Sequence, residues 1–218
     1  MSARYSATRT ALRTGAIMVV FTLVFTALMA ATHRVTQPAI EASAQDAQRR
    51  LIDEVLPPGS YDNDLLADVV HFGPAPQIGM DEGGRVWRAR KGGEPVALIA
   101  EGAATDGYSG RIALLVAVNT NGLLSGVRVT QHKETPGLGD YVEVKKDKNK
   151  ARPWITQFTG LSLAQVSDRE WKVKKDGGRF DYYAGATVTP RAVTKAVLKA
   201  VQWADAHRER LFAEGVAQ

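Results

Sequence analysis

The first pattern along the chain is an uninterrupted apolar run, GAIMVVFTLVFTALMAAT, over residues 15–32. The run contains no charged residue, and a helix needs about 20 such residues to cross a hydrocarbon core of about 30 Å. We therefore predict a transmembrane helix over residues 15–32. A cleaved signal peptide has the same basic head and apolar run, and a core helix of a soluble domain is a third interpretation, although the run lacks a polar face.

Charged residues flank this run unevenly. Three arginines precede it within residues 1–14, and His33 and Arg34 follow it. Because positive residues near a membrane span favour the cytoplasmic side, we expect residues 1–14 in the cytoplasm and the body of the protein outside it.

From Pro38 onward the apolar positions recur at helical spacing. They are Ile40, Ala44, Ala47, Leu51, Val55 and Leu56. This periodicity predicts an amphipathic helix that begins at Pro38, packs one face on the domain and ends at Pro57-Pro58-Gly59. We assign residues 33–60 to a juxtamembrane segment and residues 61–218 to one domain.

Between residues 86 and 130 the pattern changes to short β-type runs separated by glycine-rich breaks. The runs are VWRAR, PVALIAE, RIALLVAVN and LLSGVRVT. They predict two antiparallel hairpins, the first turning at residues 91–94 and the second at residues 119–122, where Asn121-Gly122 tolerates positive φ. Further along, we expect a short helix over residues 163–168 and a strand over residues 171–173.

The last predicted element is a helix over residues 190–213. Its apolar positions follow the i, i+4, i+8 spacing and are Ala192, Val193, Ala196, Val197, Ala200, Val201, Trp203 and Ala204. Thr189 fits the N-cap and Pro190 the first helical position. The whole pattern predicts an α+β fold in which a transmembrane helix precedes a domain of antiparallel β-hairpins with flanking helices.

The composition excludes several kinds of site. The chain has 218 residues, enough for one domain and an anchor, and it has no cysteine, which excludes disulfides, thiolate zinc sites and cysteine-ligated iron–sulfur clusters. The net charge is +5, and three of these charges precede the apolar run. The basic stretch over residues 145–150 is interrupted by Asp147 and contains no aromatic residue. We interpret it as a solvated loop and expect no nucleic-acid partner.

The segment before the last helix suits an anionic ligand. Gly185 and Ala186 lead to two hydroxyl residues, Thr187 and Thr189, at a helix N-terminus. Backbone N–H groups there have no helical partner, and the helix dipole adds positive potential, so a phosphate group could approach closely. On these features alone, an ordinary capped helix with Thr187 in the preceding turn fits as well.

Other candidate motifs carry less information. His132 and Glu134 have side chains that bind metals, but no further histidine lies near them, and they also fit an ordinary loop. Gly137-x-Gly139 lacks the third glycine and the following helix of a dinucleotide-binding fingerprint. We assign no metal ligand and no catalytic residue.

The run from Asp181 to Thr187 resembles a modification signal, Asp-x-x-(Ser/Thr)-Gly-Ala-(Thr/Ser), of FMN-binding domains. In those domains a flavin transferase joins the final hydroxyl to the phosphate of FMN. Gly185 and Ala186 also match the signal, whereas Ala184 stands where the family has serine or threonine. The resemblance implies a covalent FMN, esterified through its phosphate to Thr187 as a phosphoprotein linkage.

Two further segments resemble the same domain family and occur in the same order. They are TDGYSGRI, residues 105–112, and HKETPGLGD, residues 132–140. With the anchor and the chain length, the resemblance is nearest to the G subunits of the Rnf (Rsx) electron transport complex, and the C subunit of the sodium-translocating NADH:quinone reductase is related. It implies that FMN contacts Gly107, Tyr108, Ser109, Thr135, Gly137, Leu138, Gly139, Asp181, Gly185, Ala186, Thr187 and Thr189. The glycines expose backbone to a flat ring, on which Leu138 would pack.

The resemblance implies a membrane-bound electron carrier that takes part in ferredoxin/NAD electron transfer coupled to ion translocation. Its partners would be the other membrane, iron–sulfur and flavin subunits, the lipid bilayer and a flavin transferase for maturation. We expect a single-pass protein of the bacterial inner membrane, with its domain on the periplasmic side and no autonomous catalytic activity. Two alternatives stay open: an anchored assembly or binding module without a redox cofactor, and a free-standing flavin reductase.

Overall fold

The computed structural model describes residues 7–213. Its first element is a single α-helix, α1, over Ala7–Val55, which is long and apolar enough to cross a membrane. The side chains of its apolar run, Phe21 and Phe25 among them, are exposed in the isolated chain. The chain divides into two compact units, residues 1–47 and residues 48–218.

The helix predicted to begin at Pro38 is part of α1, because Pro38 lies inside that helix. A proline removes one backbone donor, and here the flanking residues continue the helix on both sides. Val55 is its last residue, as the Pro57-Pro58-Gly59 sequence predicted. Of the expected apolar face, Ile40 is exposed and only Val55 and Leu56 are buried, together with Ile52, which the prediction did not include. The division of α1 into an anchor and a juxtamembrane segment stays a prediction, and residues 1–6 lie outside the described residues.

The unit that starts at residue 48 is built on a five-stranded antiparallel sheet. The strands are β1 Val69–Phe72, β2 Gly84–Lys91, β3 Glu94–Gly107, β4 Gly110–Asn119 and β5 Leu124–Gln131. They lie in the sheet in their order along the chain. Both predicted hairpins are confirmed, β2 with β3 and β4 with β5, and a third hairpin joins them because β3 also pairs with β4. The α+β class is confirmed.

Helices cover both faces of the sheet. Leu98 and Ala100 of β3 join the core beneath the last helix, α2 (Val188–Ala213), whereas Ile99 faces the other way, against Ile52 and Val55 at the end of α1. Because side chains alternate across a strand, a sheet buried on both faces needs apolar residues at successive positions. This explains the nearly continuous apolar runs of β3 and β4.

The C-terminal end of α2 is tied to the sheet by two arginines of β2. The buried Arg88 binds Asp68 at 2.6 Å and donates to the Leu211 carbonyl at 3.1 Å. Arg90 binds the same aspartate and donates to the Phe212 carbonyl at 3.2 Å. The last carbonyls of a helix have no helical partner, so these guanidinium groups satisfy them and hold this end of α2 on the sheet.

Three features differ from the predicted elements. Strand β1 was missed, because it has only four residues and alternates weakly. Residues 163–168 form turns and no helix; Ser167 bonds the side chain of Glu170 through both its backbone N–H and its hydroxyl, which offers the backbone an alternative to helix. Residues 171–173 form no strand, since Val173 makes only an isolated bridge with Phe180.

The last helix begins at Val188, two residues before the predicted start. The Arg191 N–H donates to the Thr187 carbonyl at 3.3 Å, which gives Thr187 the cap position and corrects the assignment of Thr189 as the N-cap. Pro190 still fits, because N–H groups of the first turn have no helical acceptor to lose.

We predict that Arg88→Ala lowers the free energy of unfolding by about 3 kcal/mol, because it removes a buried guanidinium and takes from the Leu211 carbonyl its donor and from Asp68 one of its two arginine partners. The control is Arg49→Ala, which breaks an ion pair with Asp64 whose side chains are 60% and 62% exposed; its effect should be about 0–1 kcal/mol. Chemical denaturation of the purified chain measures both. Equal effects of the two substitutions would contradict this account of the α2 anchor.

Candidate functional site

Three separate segments meet at one end of the sheet and enclose a small cavity. They are the turn between β3 and β4, the loop after β5, and the loop that enters α2. The cavity has a volume of about 150 Å³ and is lined by Tyr108, Glu134, Thr135, Leu138, Gly139, Gly185, Ala186, Thr187, Val188 and Thr189. The fold therefore brings together, around one cavity, residues from all three sequence segments that are predicted to bind a cofactor.

The two threonines at the start of α2 differ sharply in environment. Thr189 is 1% exposed, and its hydroxyl donates to the carboxylate of Glu134. Thr187 is partly exposed on the cavity wall, and its hydroxyl makes no hydrogen bond to any group within residues 7–213. Of the two threonines, Thr187 is therefore the one whose hydroxyl oxygen is accessible and has no hydrogen-bond partner within residues 7–213.

A second, larger cavity adjoins the first. It has a volume of about 550 Å³ and is lined by Gly137, Leu138, Asp140, Tyr141, Lys146, Lys148, Asn149, Tyr183, Ala184 and Ala186. Leu138 and Ala186 line both cavities. Leu138 is 50% exposed, so an apolar side chain stands between the two spaces with much of its surface open. The volume of the larger cavity exceeds that of a planar aromatic ring system.

The basic stretch over residues 145–150 contributes to this second cavity. Lys146 and Lys148 are exposed, as expected for a solvated loop, yet both lie on the cavity wall. Asp147 between them is fully buried. Its carboxylate accepts from the backbone N–H of Trp154 at 2.5 Å and from the Tyr183 hydroxyl at 3.0 Å. The two exposed lysines therefore flank a buried, hydrogen-bonded residue that holds this loop beside the cavity.

Two tyrosines hold the loop that enters α2. The Tyr141 hydroxyl donates to the Ala186 carbonyl and accepts from the Tyr183 N–H, both at 3.3 Å, and the two rings lie 4.2 Å apart between centroids. Burial raises the pKa of Tyr141 well above its ordinary value. Burial also raises the pKa of Tyr183, helped by its hydrogen bond to Asp147. Both phenols therefore stay protonated at neutral pH and keep these bonds.

Four predicted cofactor contacts lie outside the small cavity. Asp181 is largely exposed and pairs with Lys174, while its carbonyl accepts from the Trp154 indole at 2.6 Å. Gly137 lines the larger cavity only. Gly107 and Ser109 belong to the turn between β3 and β4, and the Ser109 N–H donates to Glu134 of the small cavity at 2.9 Å.

Glu134 is a site residue that sequence reasoning missed. Its sequence context suggested a metal ligand with His132 or a loop residue, but its side chain is 4% exposed and lines the small cavity. His132 instead contacts Glu143 at 3.2 Å. No group of three or more metal-binding side chains occurs in the part of the chain that the structure describes. The sequence signal that could have identified Glu134 is its position directly before the Thr-Pro-Gly turn.

Comparison with known proteins gives two family matches and several curated relatives. Residues 1–55 match the RnfG N-terminal region, and residues 107–202 match the FMN-binding domain. Three of the relatives are named as G subunits of ion-translocating oxidoreductase complexes. The protein of Pseudomonas aeruginosa PAO1 is 47% identical over 94% of both chains. That of Escherichia coli O157:H7 is 43% identical over 90% of this chain and 92% of its own, and that of Shewanella oneidensis is 36% identical over 93% of both.

We predict that Gly139→Ala damages the small cavity. A Cβ at this position would lie 2.6 Å from the Thr189 hydroxyl and 2.7 Å from a Glu134 oxygen, so the buried pair must move apart. We expect a loss of about 1–3 kcal/mol in the free energy of unfolding. Gly73→Ala is the matched control, because a Cβ there meets nothing within 4 Å. A Gly139→Ala variant as stable as the control would contradict this packing.

Proposed function

The chain belongs to the family of G subunits of ion-translocating oxidoreductase complexes and carries an FMN-binding domain, and from this premise we propose that it is an electron carrier of such a complex. In this proposal FMN is esterified through its phosphate to Thr187. The finer reaction is electron transfer between ferredoxin and NAD, coupled to ion translocation. The domain lies on the periplasmic side of a bacterial inner membrane, in keeping with the three arginines that precede the apolar run.

The contrast between Thr187 and Thr189 carries the assignment of the linkage. Only an accessible hydroxyl can be esterified, and the Thr189 hydroxyl is buried and bonded to Glu134. Thr187 stands at the cap of α2, where first-turn N–H groups and the helix dipole favour a negatively charged group. The position of the residue, its free oxygen and the electrostatics of the helix end all support a phosphate ester on Thr187.

The two adjoining cavities fit the two parts of FMN. The cavity beside Thr187 is small and is lined largely by backbone and small residues, which suits the phosphate and the ribityl chain. The larger cavity has Tyr141, Tyr183 and the apolar Leu138 on its wall, and these side chains suit a flat ring. Its two lysines would place positive charge near that ring.

Formation of the ester joins the Thr187 hydroxyl oxygen to the phosphorus of FMN. The phosphate must bring a leaving group, so the donor class is a flavin dinucleotide: its pyrophosphate bond breaks, a nucleoside monophosphate leaves, and the hydroxyl proton is released. Within residues 7–213 no side chain is hydrogen-bonded to Thr187 to take that proton. This supports a separate flavin transferase as the catalyst of maturation.

Bound FMN supplies the capacity to accept and release electrons. The protein's own contributions are a tether that keeps the cofactor in place in every oxidation state, and a fixed set of charges and donors around it. The partners under this proposal are the other membrane, iron–sulfur and flavin subunits of the complex. No side chain needs to act as an acid or base in electron transfer.

We predict that the wild-type chain, produced together with a flavin transferase, keeps its flavin after full denaturation. Thr187→Ser should keep it as well, because the hydroxyl remains, whereas Thr187→Val should lose it although the side-chain shape is preserved. Flavin fluorescence in a denaturing gel and the intact mass measure the linkage. A wild-type chain without flavin, under conditions that label a known acceptor, would favour the assembly module without a cofactor. Turnover of a soluble electron donor by the isolated chain would favour the flavin reductase.

We also predict that replacing both Lys146 and Lys148 with glutamine lowers the reduction potential of the bound flavin. Positive charge beside the ring stabilises the added electrons, and its loss from two exposed positions should amount to on the order of 10–20 mV. Lys150→Gln is the control, since Lys150 belongs to the same loop but donates to the Lys145 carbonyl and does not line the cavity. Redox titration of the flavin absorbance gives the potentials. Equal reduction potentials in the double variant and the control would indicate that the flavin ring does not lie in the larger cavity.

A further inference from the structure

Glu134 is one of two acidic side chains buried in the described part of the chain, the other being Asp147. Removing a carboxylate from water is costly unless hydrogen bonds replace the lost solvation. The side-chain partners of Glu134 within residues 7–213 are both uncharged, the Ser109 N–H and the Thr189 hydroxyl. Burial of this carboxylate is unfavourable, and the residue lines the same cavity as Thr187. We therefore infer that Glu134 has a role beyond core packing.

The hydrogen bonds of Glu134 join three segments that are remote in sequence. One carboxylate oxygen accepts from Ser109 in the turn between β3 and β4, at 2.9 Å. The other accepts from Thr189 in the first turn of α2. The backbone N–H of Glu134 donates to the Nδ1 atom of His132 at 3.1 Å, which holds the residue itself in place. One side chain thus connects every segment that lines the small cavity.

Two glycines leave room for the carboxylate on opposite sides. A Cβ at Gly107 would lie 2.9 Å from one oxygen of Glu134, and a Cβ at Gly139 would lie 2.7 Å from the other. Both glycines belong to the segments that the carboxylate joins. A Cβ at either position would also meet a neighbour of the carboxylate, the Gly110 carbonyl beside Gly107 and the Thr189 hydroxyl beside Gly139, so the packing around this side chain is close.

We propose that Glu134 is the positioning residue for Thr187, and this inference rests on the proposed covalent attachment of FMN. Thr189 is two residues from Thr187, in the first turn of the same helix, so fixing the Thr189 side chain fixes the rotation of that turn about the helix axis. The bond to Glu134 turns Thr189 into the core, and the same rotation turns the Thr187 hydroxyl to the cavity. The helix dipole helps to stabilise the carboxylate at this end of α2.

Glu134 differs in its role from an ordinary helix cap. A cap acts on the stability of the helix, whereas the tie between Glu134 and Thr189 acts on the direction of the Thr187 hydroxyl. Glutamine at position 134 can preserve the tie: its amide oxygen accepts from the Ser109 N–H, and its NH₂ group donates to the Thr189 oxygen. Alanine removes both bonds. Thr189→Val removes the bond from the other side while keeping Glu134 and nearly the same shape.

The test measures the rate of flavin attachment to the full-length chain by a flavin transferase, with the flavin dinucleotide as donor. Four proteins are compared: the wild type, Glu134→Gln, Glu134→Ala and Thr189→Val. We expect Glu134→Gln to stay within about twofold of the wild type, and Glu134→Ala and Thr189→Val to be slower by at least about tenfold. Attachment to Glu134→Ala at the wild-type rate would overturn the inference, and so would an equal loss in Glu134→Gln and Glu134→Ala, which would indicate that charge is needed rather than the tie.

Hydrogen exchange on the same chains, produced without the transferase, provides a readout that does not depend on flavin. Glu134→Ala and Thr189→Val should exchange faster at the amides of the first turn of α2, while the amides of β3 and β4 keep their wild-type protection and show that the sheet is folded. Unchanged exchange in that turn would overturn the inference even if the wild type carries flavin. A wild-type chain that accepts no flavin while these exchange differences are present would instead count against the proposed linkage to Thr187.

Discussion

The placement of α2 on the sheet is the constraint on which the site depends. A helix is rigid over its length, so fixing its two ends and one face fixes the position of every residue on it. At the C-terminal end, Arg88 and Arg90 hold the last carbonyls. At the N-terminal end, Thr189 is bonded to Glu134. Between the two ends, the buried side chains of α2 pack across β3 and β4, so Thr187 is delivered to one place beside the cavities.

Charged groups of opposite sign occupy distinct positions around the two cavities of the site. A buried carboxylate and the positive end of a helix lie at the wall of the small cavity, and two lysines lie at the wall of the larger cavity. The buried carboxylate is screened less than the two exposed lysines, because protein rather than solvent surrounds it. Within the small cavity, an anionic group is favoured on the side of Thr187, at the positive end of the helix, and disfavoured next to the Glu134 carboxylate.

Much of the fold could be predicted from the sequence, because its signals are local. The strands β2 to β5 show as apolar runs bounded by turn residues, and α2 shows as an apolar stripe. The start of α2 was placed two residues late, since Thr189 and Pro190 are suited equally to a cap and to a first turn. Strand β1 is short and depends on its pairing with β2, which no local pattern records.

The residues around the candidate site also divide into those that a local run of sequence indicates and those that depend on tertiary contacts. The segments that form the cavities could be recognised by resemblance, because each is a short contiguous run. The role of Glu134 could not, because its two side-chain partners lie 25 and 55 residues away along the chain. Lys146 and Lys148 were predicted to be solvated, and they are exposed, but their place on a cavity wall beside the buried Asp147 depends on tertiary contacts that the local sequence does not record.

The order of the elements along the chain has a consequence for biosynthesis. The strands pair with their neighbours in sequence, so the sheet can form as the chain emerges, hairpin by hairpin. The wall that bears Thr187 belongs to the last element, and the arginines of β2 can clasp α2 only at its final residues. A chain that is cut short before Leu211 therefore contains Thr187 but lacks the contacts that hold the C-terminal end of α2 on the sheet.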